Sequence, residues 1–345
     1  MVVEVSQLIT PNPRHHLLMA GRRTNLALLW ASLLALVSGV ATFTVGTGAG
    51  GWVIVAHGVI ALAIVALAPW KSMIARRGLP RRRQGRLWSI GLTAAVLLTL
   101  GTGVLLVTGE MGAIGPFTTM QLHVAGGLLA VSLTLVHTLQ RPVAARRTDL
   151  ERRNLLRTGG LLTAAGGLWL LTEGTLDVTG ARGSERRFTG SHQIFDPVKV
   201  PATQWTNDSV QHLDREGHVV IVDGQGLHCE EISRGGDTVV ATLDCTGGWF
   251  TTQEWGGTRL DRLVTSPGRS IVVHAVTGYW RRFPVEQAGD LLLATHMAGE
   301  PLRDGNGGPV RIVAPGRRGY WWVKWVDRIE IDDRPPWWQP PLPTA

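Results

Sequence analysis

The pattern of apolar and polar positions divides the chain near residue 180. Before that point, four apolar segments are each about 20 residues long, which is enough to cross a bilayer as a helix. They cover residues 25–45, 51–70, 87–107 and 119–139, and a shorter fifth segment, rich in Gly and Thr, covers 159–176. The pattern predicts an all-α membrane bundle of about five transmembrane helices. Residues 1–24 form a cytoplasmic lead, of which 1–13 are expected to be unstructured.

After residue 184 the pattern changes to short runs rich in β-branched residues and bounded by Gly, Asp or Pro, which is typical of strands. We expect strands at 219–222, 238–244, 270–276 and 323–331, and short helices at 255–264 and 284–289. This predicts a mixed α+β domain over 184–345. The Pro- and Trp-rich tail, 335–345, has no assigned place.

Charge then orients the bundle. The net charge is +8, but it is concentrated in two loops: residues 71–86 carry seven basic and no acidic residues, and 141–157 carry six basic and two acidic residues. Basic loops between apolar spans mark the cytoplasmic side. We therefore expect a bacterial cell-membrane protein in contact with lipid, with its N-terminus cytoplasmic and its second domain extracytoplasmic. The same distribution argues against a nucleic-acid partner.

The string ERRNLLRTGG, residues 151–160, lies within 141–180, a basic cytoplasmic loop followed by the fifth helix. Two arginines ahead of a weakly apolar helix are typical of a twin-arginine export signal. Such a helix suits a signal better than a packed core helix. Export of a folded domain would be needed if a cofactor is inserted in the cytoplasm. The alternative is that the two arginines are another positive-inside pair.

Histidines inside the apolar spans are costly and usually functional. His57 and His123 lie at similar depth in the second and fourth spans, and His137 follows His123 by 14 residues, on nearly the same helix face. Neutral imidazole is the usual axial ligand of haem b. The arrangement resembles membrane dihaem cytochromes b, so 25–140 is interpreted as a cytochrome b-like domain. One haem is expected; a second would need His15 or His16, and hydrogen-bonded core histidines are the alternative.

Several strings of the second half resemble one family in the right order. They are CTGGWFTTQEWGGTRLDRLV (245–264), GYWRRFP (278–284), LATHMAGEPL (293–302) and GGPVRIVAPGRRGYWWVKWVDRIEI (307–331). Together they resemble the molybdopterin domain of the sulfite oxidase family, especially its periplasmic sulfoxide-reductase-like branch, over residues 187–333. The resemblance implies a mixed α+β molybdopterin-binding domain of sulfite oxidase type, with Mo-molybdopterin as cofactor.

The resemblance also implies site residues. Cys245 would be the molybdenum ligand, since a thiolate is a soft donor; a disulfide with Cys229 or an inert buried thiol is the alternative. Basic side chains suit the pterin phosphate. The candidate pterin contacts are His192, Arg281, Arg282, Arg317, Arg318 and Lys324. For Arg281 and Arg282 a solvated surface pair is the alternative.

Two departures from the family bear on the substrate. Residues 246–250, Thr-Gly-Gly-Trp-Phe, are uncharged where sulfite-oxidising members are basic, which favours a neutral oxo-compound such as a sulfoxide. Asn306 stands where the family often has histidine, so a proton-transfer role there is in doubt.

These patterns predict a molybdopterin-dependent oxidoreductase that exchanges electrons with the quinone pool through haem b. Its partners would be a quinone or quinol, a small-molecule substrate, and either further copies of the chain or an electron-transfer subunit. The alternatives are sulfite-type oxidation in the reverse direction, a catalytically silent haem protein with a degenerate molybdopterin domain, and a two-haem electron carrier.

Overall fold

The computed structural model describes residues 13–340, except 46–47, 49, 79–84, 111, 115–116, 141, 143–145, 147–148, 150 and 204–208. The chain forms two compact units: residues 1–41 with 52–184, and residues 42–51 with 185–345. The predicted fold class is confirmed, because apolar helices precede a mixed domain of two sheets and short helices. Residues 1–12 of the predicted lead, 1–24, lie outside the described residues, as do the side chains of His15 and His16.

Five long helices build the first unit. They are α1 (Pro13–Thr44), α2 (Gly50–Gly78), α3 (Arg86–Thr108), α4 (Thr119–Gln140) and α5 (Arg152–Thr179). A hairpin of β1 (Ala113–Ile114) and β2 (Phe117–Thr118) precedes α4. Among the described residues, α1 to α4 are long and apolar enough to cross a membrane. Because α1 begins at Pro13, the described part of the predicted cytoplasmic lead, 13–24, is helical.

The fifth predicted helix forms and is longer than 159–176. Among the described residues, four helices are long and apolar enough to cross a membrane, and α5 is not one of those four. Its buried side chains, Ala165, Trp169 and Leu176, lie on one face. A Cβ at Gly58 of α2 would lie 1.9 Å from the Trp169 ring, so the indole fills the space that a side chain there would need. One face of α5 therefore packs against α2, while the role of the helix as an export signal stays a prediction.

The second unit contains two sheets. The first has the order β11-β10-β7-β3, with β12 paired to β10 and β6 paired to β7; the second has the order β5-β4-β13-β8-β9. The elements are β3 (His192–Gln193), β4 (Val219–Val222), β5 (Gln225–His228), α6 (Cys229–Arg234), β6 (Asp237–Asp244), β7 (Trp249–Arg259), β8 (Ser270–Ala275), β9 (Trp280–Pro284), β10 (Leu292–Met297), β11 (Glu300–Pro301), β12 (Arg311–Val313) and β13 (Val326–Asp332).

The predicted helix at 255–264 is wrong. Trp255 to Arg259 continue strand β7, and only Leu260–Arg262 form a short 3-10 helix. Strand β7 is central, because it pairs with both β6 and β10. A Cβ at Gly257 would lie 2.0 Å from the Leu293 carbonyl oxygen, so glycine permits the close approach of β10.

The other expected elements hold with shifted ends. The helix expected at 284–289 is the 3-10 helix Val285–Asp290. The strand expected from residue 323 starts at Val326, because Trp325 has a positive φ of 51°, outside the extended region.

The tail, described as far as Pro340, packs on the edge strand β9. The Gln339 side chain accepts from the Arg282 N–H (3.1 Å) and donates to the Arg282 carbonyl (2.8 Å). It therefore takes the place of a neighbouring strand at this edge.

Candidate functional site

Cys245 lies in the tight turn that joins β6 to β7. The turn is closed by a hydrogen bond from the Cys245 N–H to the Trp249 carbonyl (2.8 Å) and by one from the Gly248 N–H to the Cys245 carbonyl (3.2 Å). Gly248 has a φ of 89°, which favours glycine. The Gly247 N–H donates to the Cys245 sulfur over 3.3 Å. The turn thus fixes a buried sulfur close to a backbone donor.

Both cysteines are free, so the alternative of a disulfide with Cys229 does not apply. Burial raises the pKa of the Cys245 thiol, while the Gly247 amide, the Thr203 hydroxyl and the charges of Lys324 and Arg318 act in the opposite direction. A free thiol is therefore favoured at neutral pH until a cation that needs a thiolate ligand displaces the proton. Cys229, buried at the start of α6, also has a pKa raised by burial.

Asp244 organises the other side of this turn. Its carboxylate, 4% exposed, accepts hydrogen bonds from Thr189 (2.7 Å) and Ser191 (2.8 Å). It also pairs with Arg318 at 2.5 Å and with Arg187 at 3.1 Å. One buried carboxylate therefore neutralises part of the charge of two guanidinium groups beside Cys245.

Arg318 reaches this place through backbone pairing. A parallel bridge joins Asp244 to Arg318, and Gly319 permits it, since a Cβ there would lie 3.0 Å from the Cys245 Cα. The Arg318 Nε is buried and has no hydrogen-bond partner within the described part of the chain. A buried donor of this kind needs an explanation, and an anionic cofactor group would satisfy it.

Arg311 is a site residue that the sequence reasoning missed. It is 1% exposed and donates to the carbonyls of Asn306 (2.7 Å) and Trp322 (3.0 Å). Burial lowers its pKa to about 9, whereas a charge on Cys245 would raise it. Arg311 therefore stays cationic at neutral pH and feels the charge of the thiolate. The sequence signal was a lone arginine inside the apolar run Val310–Val313.

Lys324 supplies another cation near the thiol. Its ammonium donates to the carbonyls of Thr203 (2.9 Å) and Gly305 (2.8 Å) and lies 5.2 Å from the Trp325 ring centre. Asn306 is buried, and its amide nitrogen faces the carbonyls of Val200 and Pro201 at 3.5 and 3.4 Å. Asn306 therefore acts as a hydrogen-bond donor here.

His192 lies on strand β3 beside the cysteine turn. Its backbone pairs with that of Trp249 on β7, and the His192 backbone N–H donates to the Gly248 carbonyl over 2.9 Å. Arg317 is further out: it donates to Gln287 (2.8 Å) and its guanidinium lies 4.6 Å from the Trp321 ring centre. Burial lowers the pKa of Arg317.

Arg281 and Arg282 belong to the other sheet. Both are buried, so the alternative of a solvated surface pair is wrong. Arg281 donates to the Tyr279 hydroxyl (2.7 Å) and the Pro340 carbonyl (2.9 Å). Arg282 pairs with Asp332 (2.7 Å) and lines a separate open cleft of about 520 Å³. Arg281 also lies over the rings of Tyr320 (5.1 Å) and Trp321 (5.6 Å), in the short helix that follows Arg318.

The helical unit brings two of its predicted histidines together. The ring centres of His57 and His123 are 6.2 Å apart, with ring planes at 79°. The His57 Nδ1 lies 2.9 Å from the Ser38 hydroxyl, and the His123 Nδ1 lies 2.9 Å from the Thr99 carbonyl. Each imidazole therefore keeps its Nε2 as the nitrogen that can bind a metal. Among the described residues, no cluster of three or more His, Cys, Asp or Glu side chains forms a metal site.

An internal repeat, also missed in the sequence reasoning, explains this pairing. Residues 21–44 and 85–108 align at an offset of 64 and share the identities Gly21/Gly85, Arg22/Arg86, Leu28/Leu92, Ala31/Ala95, Leu33/Leu97, Leu34/Leu98, Leu36/Leu100, Gly39/Gly103, Val40/Val104 and Thr44/Thr108. A Cβ at Gly39 would lie 3.3 Å from the His57 ring, and one at Gly103 would lie 3.2 Å from the His123 ring. The α1–α2 and α3–α4 hairpins thus present their imidazoles in the same way.

His137 has a different partner in this repeat. It lies 66 residues after Lys71, as His123 lies 66 residues after His57. The equivalent of His137 is therefore a lysine, and the repeat pairs no second imidazole with it.

Comparison with known proteins bears on the second unit. Residues 193–338 match the family model described as oxidoreductase molybdopterin binding domain. The chain is 32% identical over 110 residues to mitochondrial sulfite oxidase of Rattus norvegicus, and 31% identical over 109 residues to that of Homo sapiens. Each match covers 27% of this chain and 20% of the relative, so the chain spans about a fifth of the length of these curated relatives.

Among solved structures, the chain is similar to the sulfane dehydrogenase SoxCD from Paracoccus pantotrophus. The match has 25% identity and a TM-score of 0.34, and covers 36% of this chain and 40% of that chain. The predicted family resemblance is confirmed to this extent: residues 193–338 match the oxidoreductase molybdopterin binding domain model, and part of the chain is similar in sequence to mitochondrial sulfite oxidases.

Proposed function

We propose that this chain is a membrane-bound molybdenum-dependent oxidoreductase that passes electrons between the quinone pool, a haem b and an extracytoplasmic molybdenum–pterin centre. The observation that carries the proposal is the free, buried Cys245 thiol, influenced by the charges of Lys324 and Arg318, in a domain of the molybdopterin-binding family. A soft thiolate among cations suits a soft metal with anionic ligands.

The residues of the cysteine turn fit the cofactor. Cys245 would supply the protein thiolate, and Arg311, Arg318 and Lys324 would offset the negative charge of the thiolate and the pterin phosphate. The Arg318 Nε, a buried donor without a described partner, suits an anionic oxygen. When bound, the molybdenum cofactor supplies two-electron oxygen-atom transfer. The protein's own part is to hold the sulfur, balance charge and exclude water with Trp249 and Phe250, both of which are buried.

His57 and His123 fit one haem. Neutral imidazole is the usual haem ligand, and these two rings, whose centres lie 6.2 Å apart, would together hold the iron. The Ser38 and Thr99 contacts fix the ring tautomers, as second partners of metal-bound histidines commonly do. The glycines Gly39 and Gly103 leave room beside each ring.

We propose a neutral oxo-compound, such as a sulfoxide, as the substrate. Residues 246–250 carry no charge, and two of the nearby guanidinium groups, Arg187 and Arg318, are already paired with Asp244. The reaction consumes two electrons and two protons and converts the sulfoxide to a sulfide and water. The second candidate is sulfite oxidation in the reverse direction, which the names of the two mitochondrial relatives favour.

The orientation and the export route stay predictions. The basic loops favour a cytoplasmic N-terminus, and the twin arginines of residues 152–153 at the start of α5 suit export after folding. The contact between Trp169 of α5 and Gly58 of α2 supports the proposal that α5 remains part of the helical unit.

A redox titration in detergent tests the proposal and its direction. The haem of the full chain is reduced chemically, excess reductant is removed, and methionine sulfoxide is added while haem absorbance is followed. The proposal predicts reoxidation of the haem in wild type and in Cys229→Ser, and none in Cys245→Ser, which keeps its haem. Reduction of oxidised haem by sulfite, again dependent on Cys245, would support the second candidate.

Two results would contradict the proposal. Equal haem reoxidation in Cys245→Ser would remove molybdenum from the electron route and favour a haem electron carrier. Absence of haem from wild type, or its retention in His57→Leu and His123→Leu, would remove the imidazole pair as the haem site.

A further inference from the structure

The last residues of α1 belong to the second unit, which includes residues 42–51 as well as 185–345. The ring of Phe43 stacks on that of Tyr320, with ring centres 6.0 Å apart and ring planes at 11°. This geometry lies within the range of favourable aromatic pairs. At the other end of the segment, a Cβ on Gly51 would lie 3.5 Å from the Phe188 Cβ. Both ends of 42–51 are therefore held by residues of the second unit.

One turn earlier, the same helix contacts the proposed haem ligand His57. A Cβ on Gly39 would lie 3.3 Å from the His57 ring, and the Ser38 hydroxyl lies 2.9 Å from the His57 Nδ1. Gly39 and Phe43 are four residues apart, so they lie on the same face of α1, about 6 Å apart along its axis. An aromatic side chain on a helix leans back towards the preceding turn, which for Phe43 is the turn of Gly39. One face of α1 therefore carries the His57 contact and, one turn later, the ring that stacks on Tyr320.

The backbone at Tyr320 leads directly to the cysteine turn. Gly319 precedes Tyr320, and a Cβ on Gly319 would lie 3.0 Å from the Cys245 Cα. The Tyr279 hydroxyl donates to the Tyr320 carbonyl over 2.5 Å and so fixes this backbone. The Arg281 guanidinium lies 5.1 Å from the Tyr320 ring centre, where it is attracted by the electrons of the ring. That cation makes removal of an electron from the ring costly, so Tyr320 suits a fixed bridge rather than a radical carrier.

We propose that Phe43 and Tyr320 are the bridge through which electrons pass between the haem and the molybdenum centre at Cys245. This rests on the proposed function, because it places the electron route between the two centres of that function. Electron tunnelling is carried better by covalent bonds and packed rings than across gaps, and the two rings join one turn of α1 to the backbone beside Cys245.

The electron balance of each step is simple. One electron leaves the ferrous haem, which becomes ferric, and reduces molybdenum by one unit. Two such steps supply the two electrons that sulfoxide reduction consumes. Neither ring is itself oxidised or reduced, and no proton moves on the bridge, so the Tyr320 hydroxyl is not needed for the transfer.

Electron exchange inside the full chain tests the bridge without turnover of substrate. The chain in detergent, carrying both cofactors, receives one electron from a flavin photoreductant in a laser flash, and haem absorbance follows its redistribution. Wild type is compared with Phe43→Leu and Tyr320→Leu, which remove a ring, and with Phe43→Tyr and Tyr320→Phe, which keep it. Phe117→Leu is the matched control, because Phe117 is 53% exposed on β2. Haem and molybdenum are measured in every sample, and rates are compared per chain that carries both.

The expected wild-type rate is independent of protein concentration, as an intramolecular step must be. Loss of either ring should slow the exchange roughly five- to tenfold, whereas Phe43→Tyr, Tyr320→Phe and Phe117→Leu should keep the wild-type rate. An unchanged rate in Phe43→Leu would overturn the bridge and leave the proposed function standing. Absence of electron exchange in wild type that carries both cofactors would contradict the proposed electron route as well as the bridge.

A second readout is independent of both cofactors. Phe43 is replaced by p-benzoylphenylalanine, which on illumination forms a covalent bond with a C–H group in contact with it, and the adduct is located by mass spectrometry. The expected adduct lies within residues 319–321, around Tyr320. An adduct that maps only outside these residues would overturn the proposal, because the two rings would then not be in contact.

Discussion

Replacement of Asp244 by asparagine should destabilise the second unit strongly. The change keeps the shape of the side chain and removes the charge that pairs with Arg318, whose side chain is 5% exposed. Breaking a buried ion pair from one side costs about 3–5 kcal/mol, because the remaining charge stays buried without a partner. Arg187 is 27% exposed, so water can compensate it. The Thr189 and Ser191 hydroxyls would have to share the single side-chain oxygen of asparagine, which lowers the stability by a further, smaller amount.

The assay is thermal unfolding of the cofactor-free full chain in detergent, followed by tryptophan fluorescence. For a domain of this size, 1 kcal/mol corresponds to about 2–4 °C, so Asp244→Asn should lower the Tm by about 6–20 °C. The matched control is Glu230→Gln, whose partner Arg234 lies in the same helix with both side chains mostly exposed. Such a pair contributes about 0.3–0.5 kcal/mol. Equal Tm values for the two variants would refute the reasoning that Asp244 compensates a buried charge.

Three further variants test other contacts. Gly58→Ala should lower both Tm and haem content, because the new Cβ would lie 1.9 Å from the Trp169 ring, whereas Gly166→Ala, with no atom within 4 Å of its Cβ, should change neither. Burial raises the pKa of Tyr279 to about 12, so the unfolded chain ionises first and stability falls as pH rises from about 10 to 12. Tyr279→Phe should abolish this slope in alkaline unfolding curves, and an unchanged slope would show another cause. Gln339→Ala should cost about 1–3 kcal/mol in thermal unfolding, because the edge strand β9 loses two backbone partners; a loss below 0.5 kcal/mol would contradict the strand-like role of the tail.

The fold was predictable where one local signal dominated. Four long apolar runs gave the helices α1 to α4, and β-branched runs gave β4, β6 and β8 close to their observed ends. The helix predicted at 255–264 was wrong because residues 255–259 form a strand through pairing with two neighbouring strands. Gly257 allows one of these, β10, to approach closely. Local composition does not indicate such tertiary contacts. The contact of Trp169 in α5 with Gly58 of α2 is tertiary as well, so the sequence of α5 alone does not show it.

The candidate sites were predictable where the functional residues stand in a recognisable local sequence context. Cys245 follows a strand and precedes a glycine turn, and His57 and His123 stand out in apolar runs. Arg311 and Asp244 were missed because only the fold brings them to the cysteine turn. The helix repeat, in contrast, is visible in the sequence at offsets of 64 and 66, and it makes Lys71 the equivalent of His137.

The measurement that tests the central claim most directly is molybdenum content with Mo(V) spectroscopy on detergent-purified full chain from a host that makes the cofactor. Wild type is compared with Cys245→Ser and with Cys229→Ser, the other buried free cysteine. We expect about one molybdenum per chain in wild type and Cys229→Ser, and loss of metal or an altered Mo(V) signal in Cys245→Ser alone. No molybdenum in wild type, or an unaltered signal in Cys245→Ser, would contradict the claim.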